Sequence, residues 1–159
     1  MLTKIISGGE SGVSQAGWRV AKAYGLVTGG WMPRGFLTDQ GPHPEFAQQW
    51  GAAELSTDSQ TDCTEKNVRD SDATVWFGET TTSGAQAAVK ACLAFGKPVI
   101  PIDPGAYFEP SQIAKWLTDN EIEVLNVAGN REHEEPEIGD RVEQFLGEVL
   151  ERLGHERAL

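Results

Sequence analysis

The stretch from Lys4 to Tyr24 constrains the fold more than any other. Lys4-Ile5-Ile6 is a short apolar segment that feeds the glycine-rich turn Ser7-Gly8-Gly9-Glu10-Ser11-Gly12, and this turn opens directly into a helical pattern from Ser14 to Tyr24. Val13, Ala16, Val20 and Tyr24 share one helix face, and Gly17 beside them allows close packing on a sheet. Trp18 and Lys22 share the other face, where Trp18 is expected either as a half-covered surface aromatic or in a subunit contact. The turn itself has a chemical use. The first N–H groups of a helix lack internal acceptors, and the helix dipole adds partial positive charge there. Glycines let an anion approach those amides without meeting a Cβ. A strand-to-helix turn that binds nothing has the same appearance, so the rest of the chain must separate the two.

The remaining chain repeats the strand-then-helix order. Leu26 to Pro44 is dense in glycine and proline and reads as a short strand ending near Thr28, followed by a long functional loop. Ala52 to Leu55 reads as a short strand, Thr61 to Arg69 as a helix and Ala73 to Phe77 as a buried strand. A polar turn, Glu79 to Gly84, opens a helix from Ala85 to Phe95 that Gly96 ends. Lys97 to Asp103 is the next strand, with Pro101 at its end or on an unpaired side, and Pro110 and Ser111 start a helix carrying Ile113, Trp116 and Leu117. Glu123 to Val127 is the last strand, and Ala128-Gly129-Asn130-Arg131-Glu132 the turn after it. The final helix repeats Val142, Phe145, Leu146, Val149, Leu150 and Leu153 as a stripe that core packing fully explains.

Strands alternating with helices imply an α/β three-layer Rossmann-like sandwich, a mainly parallel central sheet with helices on both faces, formed by one domain over residues 1–159. A chain of this length buries roughly 70% of its unfolded surface, enough for one core. Ligands of such sheets sit outside the carboxyl ends of the strands, and every polar turn named above follows a strand. The candidate binding residues are therefore Ser7, Gly8, Gly9, Glu10, Ser11 and Gly12, then Thr80, Thr81, Thr82, Ser83 and Gly84, and then Gly129, Asn130 and Arg131. Trp31, as a stacking face or a core aromatic, Arg34, and Asn67 with Thr64 near the start of their helix join them.

Residue chemistry narrows the guest. No Gly-Lys-Ser/Thr follows the glycines, so the turn is not a Walker A loop, and the G-x-G-x-x-G spacing is missing. About 20 residues beyond the turn, where a dinucleotide site places an acid, stand Met32, Pro33 and Arg34. Arg34 and Arg131 with two helix N-termini make a local anion site; charge-assisted bonds of roughly 1.5–3 kcal/mol each support micromolar binding. Glu10 opposes an anion and must point outward, donate while protonated, or hold a cation such as magnesium. Asp70 and Asp72 precede a strand and belong to the opposite end of the sheet, in caps and local ion pairs. No Ser/His/Asp or Cys/His arrangement and no dedicated general base can be assembled.

The net charge of −11 argues against nucleic acid as a partner, and no apolar run long enough for a membrane span exists. The N-terminus reads as a core strand rather than a signal peptide. Cys63 and Cys92 form neither a disulfide framework nor a zinc pattern, Cys92 is expected as a buried thiol, and His43, His133 and His155 are scattered. A cytoplasmic protein is expected.

Taken together, these residues resemble the molybdenum carrier family, which includes the molybdenum cofactor carrier proteins. The resemblance runs nearly end to end. It rests on Ile6-Ser7-Gly8-Gly9 with Gly12-Val13, Gly29-Gly30-Trp31 with Pro33 and Gly35, Gly41-Pro42 and Thr64-Glu65. It continues through Asn67 to Thr74, Gly96-Lys97-Pro98, and Asn126-Val127-Ala128-Gly129 with Arg131-Glu132. The resemblance implies a Rossmann-like subunit in a homo-oligomer, a dimer or tetramer. It implies a phosphorylated pterin or the molybdenum cofactor (molybdopterin) as an anionic small-molecule guest, bound without chemistry. The chain departs from the family at Glu10, Ser11, Ser14 and Gln15, where the family tends to Gly-Gly-Gln-Thr-Gly-Val-Asp-Arg. It departs again at Cys63, where the family has arginine, and at Thr82-Ser83-Gly84-Ala85, where it has Thr-Gly-Gly-Thr. The rival reading is a nucleotide-processing hydrolase resembling the related cytokinin-activating phosphoribohydrolases; their catalytic glutamate follows the turn, whereas no acid follows Gln86 before Lys90.

Overall fold

The computed structural model describes residues 1–102 and 108–158. Six parallel strands form the central sheet: β1 (Lys4–Ile6), β2 (Val27–Met32), β5 (Ala52–Glu54), β6 (Ala73–Phe77), β7 (Val99–Ile102) and β8 (Val124–Gly129). Their order is β5-β2-β1-β8-β6-β7, and every neighbouring pair runs parallel. The helices are α1 (Val13–Ala23), α2 (Phe46–Trp50), α3 (Gln60–Arg69), α4 (Ser83–Phe95), α5 (Pro110–Asp119) and α6 (Ile138–Arg152). A small antiparallel hairpin, β3 (Leu37–Thr38) with β4 (Gly41–Pro42), stands apart from the sheet. The expected three-layer sandwich is thus the observed one. No described helix is long and apolar enough to cross a membrane.

Local chemistry sets the element ends. Thr82 and Ser59 accept the amides of Ala85 and Asp62 at 3.2 Å, capping α4 and α3. Glu109 and Gln112 form a capping box on α5 with Pro110 behind it. Gly96 takes the left-handed conformation that ends α4. One face of the sheet packs Ile5, Val75, Phe77, Leu125 and Val127 against α1, α5 and α6, where the Val142–Leu150 stripe is buried as expected. The other face lies under α3 and α4, with Cys92 fully buried beside Val68 and Val99.

Several expectations are corrected. β2 does not end near Thr28 but runs to Met32, because β5 pairs with Gly30, Trp31 and Met32. The supposed long loop after it contains a 3-10 turn (Arg34–Phe36), the β3–β4 hairpin and α2. Trp18 is neither half-covered nor at the surface: it is 0% exposed, its indole donates to Gly29 O at 2.7 Å, and it packs between Trp50 and Phe46 with ring centroids 5.7 and 5.6 Å away. The sequence pattern of α1 did not reveal this because the cover comes from α2, 28 to 32 residues later. The last strand continues through Ala128 and Gly129, and β7 closes at Ile102; Asp103, expected at its end, lies outside the described residues. Pro101 sits on the edge strand, where its missing donor has no consequence.

Candidate functional site

The site begins with a change of character across β6 and β8. Successive strand residues face opposite ways, and while Val75, Phe77, Leu125 and Val127 enter the main core, Thr74, Trp76, Asn126 and Ala128 face the α3–α4 side. Asn126 Nδ2 donates to Thr74 Oγ1 at 3.1 Å, which lets two polar side chains remain buried there. Trp76 is held by its indole N–H on Glu79 O at 3.0 Å. Between α3 and α4 this sheet face opens as a cleft of ≈ 400 Å³. That size accommodates a heterocycle with a small substituent.

Three chain segments close the cleft at the carboxyl ends of the strands. Thr82, Ser83 and Gly84, in the first turn of α4, line one wall. Helix amides at this position have no intrahelical acceptor. Gly129, Asn130 and Arg131, leaving β8, line the next, and among the described residues Arg131 is the one cationic residue lining the cleft. Gly8 and Glu10, leaving β1, complete the rim. Cys63, also in the lining, has its thiol pushed up to about 12 by burial and by the nearby Asp62 and Glu10 charges, which leaves it unreactive.

The β1–α1 turn holds an anion of its own. The hairpin between β3 and β4 carries Asp39 onto it, where Ser11 N–H donates to Asp39 Oδ1 at 2.8 Å and Ser11 O–H donates to Asp39 Oδ2. Asp39 N–H in turn donates to Glu10 Oε2 at 2.9 Å, and Arg131 Nε lies 3.5 Å from the same oxygen. Burial, and the hydrogen bond from the Glu10 carboxyl to Asp39, push the Glu10 pKa from 4.5 to about 7 against the opposing pull of Asp39 N–H and Arg131. Burial alone would raise Asp39 as well, but hydrogen bonds from Glu10 and Ser11 bring it down to about 2. Of the two carboxyls, Glu10 is thus the one favoured in its protonated form and Asp39 the one favoured as a carboxylate. Among the described residues no group of three or more His, Cys, Asp or Glu side chains forms a metal site.

This pairing has a measurable consequence for stability. Folded Glu10 keeps its proton up to about 7 whereas an unfolded glutamate releases it near 4.5, so this stabilisation is complete below 4.5 and is lost as pH rises through about 7. The Asp39 contribution has the opposite sign, being present above 3.8 and lost as pH falls through about 2. Glu10→Gln keeps a donor for Asp39 without the titration. Denaturant unfolding at pH 5 and pH 8 should show the wild type losing on the order of 2 kcal/mol more than the variant between those values. Parallel curves for the two proteins would contradict the raised Glu10 pKa.

Of the residues singled out from sequence, Gly8, Glu10, Thr64, Asn67, Thr82, Ser83, Gly84, Gly129, Asn130 and Arg131 meet around this cleft. The others are used differently. Ser7 is fully buried and donates to Ser14 O at 2.9 Å, and a Cβ on Gly9 would meet Met32 Cε at 2.6 Å. Ser11 serves Asp39, and Gly12 (φ +78°) lets Val13 N–H reach Asn130 O at 3.2 Å. Thr80 and Thr81 are exposed outside the lining. Trp31 faces α3 instead, its indole donating to Asp70 at 2.8 Å under Lys66. Arg34 is exposed near Ser56 O, away from the cleft, because the 3-10 turn carries it outward. Asn67 reaches the cleft but spends its amide on the Trp31 backbone, accepting from N at 2.8 Å and donating to O at 3.1 Å, as a substitute strand partner for β2. Asp72 accepts the amides of Glu123 and Val124 at the far end of the sheet, as expected of a capping residue.

Sequence reasoning missed Trp76, Asn126 and Asp39. The alternation of Thr74 and Trp76 with Val75 and Phe77, matched by Asn126 and Ala128 against Leu125 and Val127, marks the second sheet face and was available. Asp39 carries no local signal, since its partner Ser11 stands 28 positions earlier.

Residues 5–150 match the circularly permutated YpsA SLOG family. Among solved structures, the chain is similar to a protein of Syntrophus aciditrophicus SB described as a putative molybdenum carrier protein. The two share 32% sequence identity, the match covers 96% of this chain and 94% of that one, and the TM-score is 0.81. None of the curated proteins compared with the chain matches it.

Proposed function

This chain belongs to the circularly permutated YpsA SLOG family, and we propose that it is a non-catalytic binding or carrier protein for a phosphorylated heterocycle, with molybdopterin the named candidate. The convergence of three distant turns on one cleft carries the reading. The first turn of α4, the Asn130–Arg131 segment and the Gly8–Glu10 segment offer amides and a guanidinium beside an indole wall. In this reading the phosphate rests on the Ser83 and Gly84 amides with Arg131 across from it, and the ring lies against Trp76 within reach of Asn126. The similarity to the Syntrophus protein, described as a molybdenum carrier, supports a carrier role for a molybdenum-containing guest. The protein would act in the cytoplasm as a dimer or tetramer; exposed Val89, Leu93 and Phe95 on the outer side of α4 support association.

Native mass spectrometry of the protein purified from a molybdenum-replete host, with fluorescence of acid-oxidised extracts, tests the guest. A bound mass that yields a fluorescent pterin is the expected result. Protein that carries no pterin and binds no heterocyclic phosphate added afterwards would refute the reading.

A further inference from the structure

Asn67 and Asn126 both line the cleft, and they differ in what their carboxamides have left to offer. Asn67 is fully spent: its Oδ1 accepts Trp31 N–H at 2.8 Å and its Nδ2 donates to Trp31 O at 3.1 Å. Asn126 is half spent. Its Nδ2 donates to Thr74 Oγ1 at 3.1 Å, and among the described residues no hydrogen bond reaches its Oδ1. Yet Asn126 is only 4% exposed. The side-chain polar atoms sealed without a partner are, among the described residues, His43 Nε2 and His155 Nε2. Asn126 Oδ1 is therefore open, and the space it opens to is the cleft. Asparagine is also a poor choice for the middle of a strand in a sheet covered on both faces, where apolar residues are the rule. Its position is telling as well. Thr74 pairs with Asn126 and Trp76 with Ala128 across β6 and β8, so Trp76 and Asn126 are diagonal neighbours on one sheet face. Gly129 lies three residues further along β8, about 10 Å toward the rim. Ala87 and Ala88 of α4 bring only methyl groups to this part of the lining.

We propose that Asn126 is a specificity-determining residue that reads a hydrogen-bond donor on the guest's ring, so that the cleft selects fused heterocycles carrying an N–H or amino group on the edge remote from the phosphate. The inference rests on the reading given under Proposed function, which supplies a ring and a phosphate but leaves the ring's hydrogen-bonding edge open. A carboxamide oxygen accepts and cannot donate. It bonds a ring N–H or amino group and opposes a ring carbonyl or a bare ring nitrogen. The bond to Thr74 holds the amide with its nitrogen away from the guest, which fixes the sign of the selection. Exclusion follows from burial: a ring without a donor would cover Oδ1 and leave it unmet, which costs more than a missing surface contact.

Isothermal titration with guanosine 5′-monophosphate and purine riboside 5′-monophosphate tests the proposal. The two share the sugar phosphate, but the second has neither an N–H nor an amino group on its ring. The wild type should prefer the guanosine nucleotide by roughly tenfold or more. Asn126→Leu keeps the side-chain size without the acceptor; it should lower guanosine nucleotide affinity by roughly tenfold and leave the purine riboside nucleotide nearly unchanged. Equal affinities in the wild type, or a preference for the purine riboside nucleotide, would overturn the proposal while leaving the phosphate-and-ring reading in place, even if the variant fails to fold. An Asn126→Leu protein that folds and keeps the wild-type preference would overturn it too, since stacking on Trp76 would then account for the difference. Binding of neither nucleotide would remove both the reading and the proposal.

Discussion

Gly129→Ala should cost the protein about 4 kcal/mol or more of folding stability, read as a shift of the denaturant midpoint. Gly129 stands in β8 directly beside Phe77 of β6, and a Cβ there would lie 2.1 Å from Phe77 O and 2.7 Å from Val13 Cγ2. Neither obstacle is the free end of a flexible side chain. The first is sheet backbone, and the second belongs to Val13, the fully buried first residue of α1. Relief requires separating β6 from β8 or lifting α1, and overpacking of this kind exceeds the usual 1–3 kcal/mol when the backbone itself must move. The comparison protein is Gly96→Ala, where the new Cβ meets nothing within 4 Å and only the left-handed φ of +65° opposes it. That change should cost about 1 kcal/mol. Similar losses for the two variants would mean that Gly129 serves the guest and not the strand pairing.

Arg131→Ala should weaken binding of a heterocyclic monophosphate by roughly 10- to 100-fold, measured by titration calorimetry, the range expected on losing one charge-assisted hydrogen-bonding partner. Arg131 is the one cationic residue lining the cleft among the described residues, so no described neighbour replaces it. Its own fold contribution is small: the side chain is 41% exposed and meets Glu10 at 3.5 Å, a pair worth about 1 kcal/mol or less. Loss of affinity with an almost unchanged denaturation curve is therefore the signature. Arg34→Ala, outside the cleft, should leave affinity within twofold of the wild type. A strong effect at Arg34 with none at Arg131 would reverse the assignment.

Legibility of this fold followed the range of the interactions involved. Strand and helix positions were readable because the wholly buried apolar run of β6 and the Val142–Leu150 stripe in α6 are local patterns. The meeting of the α4 turn with Arg131 was readable as well, since parallel connections bring all carboxyl ends to one edge. What failed was whatever depends on segments that fold back from far away. Trp18 reads as a surface residue until α2 covers it, and the β1–α1 turn reads as an empty anion site until the hairpin delivers Asp39. Arg34 shows a second kind of failure. Its place in the sequence is right for the ligand edge, but the backbone at Gly35 (φ +77°) turns the segment outward. Glu10 was recognised as a difficulty from its charge alone, and its solution needed a partner 29 residues away.

The most direct measurement is a crystal structure of the protein saturated with guanosine 5′-monophosphate, whose ring shares the amino-oxo edge of a pterin. The account predicts phosphate oxygens within hydrogen-bond reach of the Ser83 and Gly84 amides and of Arg131, the ring against Trp76, and Asp39 still seated on Ser11. A phosphate bound to the Gly8–Gly12 turn with Asp39 displaced, or a nucleotide bound anywhere outside this cleft, would contradict it.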